Sequence, residues 1–543
     1  MPAPRLDRRF ERRLAGLVNA RERGVLTGGL KGVEREALRV TPDGRVSQAP
    51  HPRSLGSALT HPHVTTDYSE ALIELVTPPF QHTWELQQYL CDIHQFVYRH
   101  LGDELLWSTS MPCVLGGDDE IPIARYGSSN IGRMKHVYRV GLGLRYGRMM
   151  QAISGVHFNY SFPARFWPVL EAVEESRLTG QSFVDEHYFA LLRNYRRYGW
   201  LILFLFGVSP AACRSFFAGR GIPPGLEPAG KHTLVAPFAT SLRMSDLGYR
   251  NKSQAGVHVS VNSLGEYVRD LSRLISTPHP EYQAHGVEVN GEWRQLNDSL
   301  LQIENEYYSF IRPKRVAFSG ERPTRALMRA GVQYVEMRSL DVGAYDPVGV
   351  NQRKLCFLEA FAALCALRES PPLAPEQSAH FEANHELVAS RGREPGLVLW
   401  AEPRPLSLVD WAAELLDQMQ GICELLDADN PSRPYAAALA FQRAKLEDAA
   451  ELPSVRLLEE ICRQDMSFFE LALWMSRMHC DYFRELYPPN EGRLAELRAE
   501  ADESLKEQRR VEAADTLPFA EFVARYSAGS LSIIPGTLPS PDS

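Results

Sequence analysis

The amino-acid sequence predicts an α+β fold, with strands gathered in the first 345 residues and helices dominating the last 200. Three observations carry this. Four segments before residue 345 alternate apolar and polar residues with period two, the pattern of a strand whose faces differ. After about residue 350, apolar residues recur at helical spacing. The composition is ordinary for a globular chain, with 44% hydrophobic and 23% charged residues over 543 positions. That excludes wholesale disorder, collagen-like repeats and coiled coil. The length fits roughly three to four domain-sized units or one large enzyme.

Taken in order, residues 1–23 read as an amphipathic helix with a stripe of Phe10, Leu14, Leu17 and Val18. No apolar core of a secretory signal is present, and Asp7, Glu11 and Glu22 interrupt the basic run that a transit peptide would keep. Residues 31–80 read as strands broken by the Pro-Asp-Gly turn at 42–44 and a His/Pro-rich loop at 50–63. Residues 84–101 read as helix, 150–163 as strand, 165–215 as mostly helix and 216–232 as a Gly/Pro-rich loop. A helix is expected over 265–276, irregular or extended chain over 300–311, and a strand over 331–341. The sheet is thus placed within 24–345 and the helical part at 350–525, as cover. The segment 526–543 has the Gly, Ser and Pro content of a disordered tail.

Net charge is −8, which argues against nucleic acid as the main partner. The eight cysteines form no CxxC pair and no zinc-ligand spacing, and read as core thiols of a reducing compartment. The most apolar window, Gly199–Cys213, is too short for the ~20 residues of a bilayer crossing and reads as a buried helix. A cytoplasmic protein with no membrane partner is expected. Two motifs mislead. Residues 225–232 fall one residue short of a phosphate loop: they carry His232 where a hydroxyl is needed, and they follow two prolines. Residues 141–147 have the spacing G-x-G-x-x-x-G, better suited to a helix than to a dinucleotide loop. Asn251-Lys252-Ser253 is a glycosylation sequon without consequence in the cytoplasm.

The chemistry lies in the four strand-like segments. Glu34 and Glu36 share one face of VEREALRV. Glu74 shares its parity with Glu70 in SEALIELV, with Asp67 at the entrance. His157 and Asn159 share a face of VHFNYSF, and Tyr334, Glu336 and Arg338 a face of QYVEMRS. Taken singly, each is an amphipathic strand with a solvated face. If the four are neighbours, one sheet face gathers Glu34, Glu36, Asp67, Glu74, His157 and Glu336. Five carboxylates together repel unless cations intervene. Oxygen ligands with one imidazole suit Mg²⁺ or Mn²⁺, and carboxylate-held Mg²⁺ usually also holds substrate phosphates. More than one such ion would point to ATP. Arg338 supplies the fixed cation that a transferring phosphoryl group requires. A second group combines rings and guanidinium groups: Tyr138-Arg139, the run from Arg243 to Tyr249, and the run from Glu304 to Arg315. Such pairs suit an amino-acid pocket, and equally suit basic loops near buried tyrosines.

At these residues the sequence closely resembles the proteobacterial-type glutamate–cysteine ligase family. The matching stretches are GVEREALRV (32–40), SLGSALTHPHVTTDYSEALIELVTP (54–78), ISGVHFNYSFP (153–163), ATSLRMSDLGYRNKSQ (239–254), LQIENEYYSFIRPKR (301–315), GVQYVEMRSLD (331–341) and EAADTLPFAEF (512–522). The resemblance implies a glutamine-synthetase-like fold, a curved, largely antiparallel sheet forming a funnel with helices outside, in one catalytic domain over 1–525. It implies ATP-dependent ligation of L-glutamate to L-cysteine through γ-glutamyl phosphate, the first step of glutathione synthesis. It implies Glu34, Glu36, Asp67, Glu74, His157 and Glu336 as metal ligands, with Glu336 and Arg338 at the chemistry. Tyr138, Tyr249 and Tyr308 match the family's cysteine-pocket rings, Arg243 a glutamate-binding residue, and Arg139 and Gln151 further pocket positions. Tyr68 stands where the family can carry Phe. The rival readings are a ligase for another amine, a phosphotransferase, and a non-catalytic nucleotide-binding regulator. A monomer is expected rather than an oligomer.

Overall fold

A computed structural model describes residues 7–20, 24–112, 115–218, 221–248 and 257–531. Its strands are β1 (Leu30–Val40), β2 (Val64–Thr66), β3 (Leu72–Val76), β4 (Leu105–Leu106), β5 (Gly155–Ser161), β6 (Ala211–Cys213), β7 (Glu227–Ala229), β8 (Thr233–Val235), β9 (Glu288–Val289), β10 (Glu292–Trp293), β11 (Ile311–Lys314), β12 (Tyr334–Asp341), β13 (Val398–Leu399) and β14 (Leu406–Ser407). Seven of them form one antiparallel sheet in the order β11-β12-β5-β1-β3-β2, with β4 on the end of β1. The sheet is open, so the expected antiparallel layer is present and is not a closed barrel.

The register joins the four expected strands. Glu36 lies opposite Glu74, Glu34 opposite His157, and Glu336 opposite Asn159. A bulge separates Met337 from Leu340, placing two residues of β12 against one of β5. Bulges re-aim side chains, and this one falls at Arg338.

The other face of β1 carries Lys31, Val33, Arg35 and Ala37, all buried. It packs toward a helix, Gln352–Leu367, whose residues are buried on every side from Leu355 onward. The helical part is therefore more than cover, because this helix lies inside the core. One apolar cluster runs from Phe10 to Ala501, joining both halves of the chain. Lys31 Nζ meets both oxygens of Glu359 on that helix at 2.9 and 2.8 Å, and Tyr435 Oη donates to the same carboxylate at 2.5 Å. Both charges are fully buried. Removing one partner strands the other. Lys31→Met is expected to lower stability by about 3–5 kcal/mol, measured by urea unfolding, and an unchanged midpoint would contradict this.

Several expectations need correction. The apolar window at 199–213 is not one helix: helix Trp200–Phe206 ends early and β6 follows. The loop at 216–232 contains β7, which forms a hairpin with β8 and leads into no helix, so residues 225–232 are no phosphate loop. Residues 141–147 end a helix, Asn130–Tyr146, as the small residues suggested. Residues 526–528 are not part of a tail, because helix Phe519–Ala528 includes a buried Tyr526. Residues 532–543, Cys113, Tyr249 and the sequon lie outside the described residues. The seven other cysteines are free, with Cys462 exposed rather than in the core. Among the described residues no helix is long and apolar enough to cross a membrane.

Candidate active site

The polar face of the sheet floors a cavity of about 150 Å³. Strand alternation sends Glu34, Glu36, Glu74, His157, Glu336 and Arg338 into it, and Asp67 enters from the β2–β3 turn. Glu34, His157 and Glu336 converge most tightly, with ligand atoms within 4.8 Å of one another. His157 Nδ1 lies 3.1 Å from Glu34 and 3.4 Å from Glu336, and its Nε2 lies 3.6 Å from Glu36. Asn159 Nδ2 donates to Glu34 at 2.8 Å. The Gly155 N–H donates to Glu36 at 2.6 Å.

Cations balance part of this charge. Glu336 is 1% exposed and pairs with Arg338 and, at 3.4 Å, with Lys314. Burial works to raise its carboxyl pKa, but Arg338, Lys314, His157 and Arg312 hold it well below the usual carboxylate range. Lys314 is held above its ordinary value: burial opposes its charge most strongly, and Glu336, Tyr334 and Glu34 together outweigh burial. Asp67 lies 4.0 Å from Arg139, whose guanidinium also covers the Tyr126 ring at 4.7 Å. Oxygens, one imidazole and no thiolate form a donor set that Mg²⁺ or Mn²⁺ could occupy.

Tyr68, Tyr138, Arg139 and Gln151 line the same cavity. Arg243 and Tyr308 do not line it. Arg243 Nη2 donates to the Arg338 carbonyl at 3.1 Å, and Tyr308 Oη donates to Met244 Sδ at 3.8 Å. Arg243 fits because residue 155 is glycine: a Cβ there would lie 2.0 Å from its guanidinium. Arg243 thus touches the wall through the Arg338 carbonyl, and Tyr308 is half-buried beside Met244 and Phe310.

Sequence reasoning missed Lys135 and Tyr526, and covered Asn305, Arg312 and Lys314 only within the run from Glu304 to Arg315 without singling them out; all five are in the wall. Arg312 and Lys314 carried a signal, since they alternate about Pro313 in a stretch left irregular up to residue 311. Lys135 and Tyr526 sit on helices, and no spacing marks them. A second cavity of about 360 Å³, mainly apolar, adjoins the first and shares Glu34, Ile131 and Lys135 with it.

Acids, an imidazole and fixed cations on one sheet face, with an apolar cavity alongside, make up a candidate active site with the chemistry to hold divalent cations and anionic groups. The chain belongs to the glutamate–cysteine ligase family, and is a ligase. The family model described as glutamate-cysteine ligase matches residues 14–388. The glutamate–cysteine ligase of Alcanivorax borkumensis is 46% identical over 525 residues, covering 95% of this chain and 99% of that relative. That of Pseudomonas putida is 47% identical over 504 residues, covering 93% and 95%. The crystal structure of the Francisella tularensis glutamate–cysteine ligase in complex with AMP aligns with a TM-score of 0.87 at 34% identity, covering 93% of this chain and 98% of that one.

Proposed function

We propose that this ligase forms γ-glutamylcysteine from L-glutamate, L-cysteine and ATP on the polar face of its sheet, the first step of glutathione synthesis. The observation that carries the placement is the convergence of Glu34, His157 and Glu336 beside Arg338. The phosphoryl group of ATP passes to the γ-carboxylate of glutamate. The cysteine amine then attacks the activated carbonyl carbon; the C–N bond forms, the C–O bond to phosphate breaks, and the amine loses its proton. Glu34, Glu36, Asp67, Glu74, His157 and Glu336 would hold more than one Mg²⁺ or Mn²⁺, which when bound supply charge neutralisation for the polyphosphate. Arg338, aimed by its bulge, faces the transferring phosphoryl group. Lys135, at the junction of the two cavities, tracks the phosphates, and the apolar cavity takes the nucleoside, in keeping with an AMP-bound relative.

Tyr68, Tyr138 and Arg139 line the acceptor side, with Gln151 as a further contact. Arg243 and Tyr308 complete the amino-acid pocket, Arg243 from its place on the Arg338 carbonyl. Tyr249, the third ring matched to the family's cysteine pocket, lies outside the described residues. The catalytic unit is one domain, cytoplasmic and monomeric, with no nucleic-acid or membrane partner.

The test is ADP release in the presence of Mg²⁺ with glutamate alone, cysteine alone and both. Fast release is expected only with both, matched by dipeptide. Release that ignores cysteine while no dipeptide forms would overturn the reading and favour a phosphotransferase.

A further inference from the structure

The single helical turn Glu304–Glu306 sends three consecutive side chains in three directions. Glu304 accepts from Arg322 Nε at 2.8 Å and Thr324 Oγ1 at 2.6 Å, at the start of helix Pro323–Ala330. Glu306 accepts from Arg145 Nη1 at 3.0 Å, Tyr146 Oη at 2.5 Å and the Gln302 N–H at 2.6 Å, at the end of helix Asn130–Tyr146. The Arg145 and Glu306 side chains are 0% and 1% exposed. Arg145 is itself fixed: it lies over the Tyr282 ring at 4.1 Å and donates to Gln295 and to the Asn297 carbonyl. Between the two anchored carboxylates, Asn305 lines the acid cavity, and its carbonyl accepts from Arg312 Nη2 at 2.9 Å.

Buried ion pairs add little net stability, because desolvation offsets their attraction. Two of them flanking one residue fix geometry, and the residue fixed here is Asn305. The same anchor reaches the opposite wall. Gln302 Nε2 donates to the Tyr138 carbonyl at 3.1 Å, and Gln302 fits only because residue 141 is glycine, where a Cβ would lie 2.3 Å away.

We propose that the Asn305 side-chain amide contacts the acceptor amino acid, and that Glu304 and Glu306 are positioning residues acting through it. This rests on the ligase reading above. Polyphosphate calls for cationic donors and divalent cations for anionic oxygens, whereas an amide offers both a neutral donor and a neutral acceptor. A zwitterionic amino acid needs both. The acceptor is favoured over glutamate because the anchor that holds Asn305 also holds Tyr138, on the acceptor side.

Asn305→Ala is expected to raise the KM for cysteine about tenfold, the lower end for losing a hydrogen bond to a charged group. Turnover should stay within threefold and the KM values for ATP and glutamate within twofold, at an unchanged thermal midpoint. Glu306→Gln should shift the cysteine KM the same way. Should that variant fail to fold, Gln302→Met, which removes the links to the Tyr138 carbonyl and the Leu296 N–H and keeps the Gln302 N–H on Glu306, should give a smaller rise. A cysteine KM within twofold of normal in Asn305→Ala, or a rise in the ATP or glutamate KM instead, overturns the proposal. Absence of dipeptide from the unaltered chain would instead remove the ligase reading beneath it.

Discussion

Glu336→Gln is expected to cut turnover by about 10²–10³-fold, the scale of losing one preorganised electrostatic group in a dry site. Glu336 is the acid on which the most charge converges. Its oxygens lie within reach of His157, Lys314 and Arg338, and it is 1% exposed. The amide keeps the shape and removes the negative charge, so a cation loses an anionic ligand and Arg338 loses its partner. Arg338 and Lys314 keep 19% and 14% side-chain exposure, so water screens the two cations left facing each other and the fold persists. A circular dichroism spectrum like that of the unaltered chain would confirm survival of the fold. Glu36→Gln should behave alike, through its place opposite Glu74. Near-normal turnover in both variants would contradict the proposed ligand set.

Arg338→Met is expected to cost about 10³-fold in turnover, the lower end for a guanidinium that stabilises a transferring phosphoryl group. The backbone holds this residue at both ends. Its N–H donates to the Phe310 carbonyl at 2.9 Å, and its own carbonyl accepts from Arg243. The methionine should therefore leave the strand in place and remove only the charge. Arg338→Lys restores charge without the planar fork and should recover only part of the loss. A larger change in the glutamate KM than in turnover would assign Arg338 to substrate binding instead.

The acids were legible in the sequence because strand parity alone decides which side chains share a face. Glu34 with Glu36, and His157 with Asn159, needed nothing more. Parity says nothing about which strands are neighbours, so the pairings of Glu36 with Glu74 and Glu34 with His157 had to come from the fold. Family resemblance supplied roles for Arg243 and Tyr308, but only packing shows that Arg243 meets the Arg338 carbonyl and Tyr308 meets Met244. Lys31 and Glu359 were overlooked for a different reason. A lone Glu within the run LCFLEAFAALCAL signals a buried partner, yet that partner lies 328 positions away. The apolar window at 199–213 misled because a buried helix and a buried strand look alike in short apolar runs.

Manganese binding is the most direct test of the central claim that separated stretches of chain meet to hold divalent cations. Electron paramagnetic resonance of free Mn²⁺, titrated with the unaltered chain and with Glu336→Gln, gives the number and affinity of bound ions without relying on activity. The expected result is more than one bound ion with ATP present, and at least tenfold weaker binding in the variant. Equal affinity in the two chains would contradict the claim.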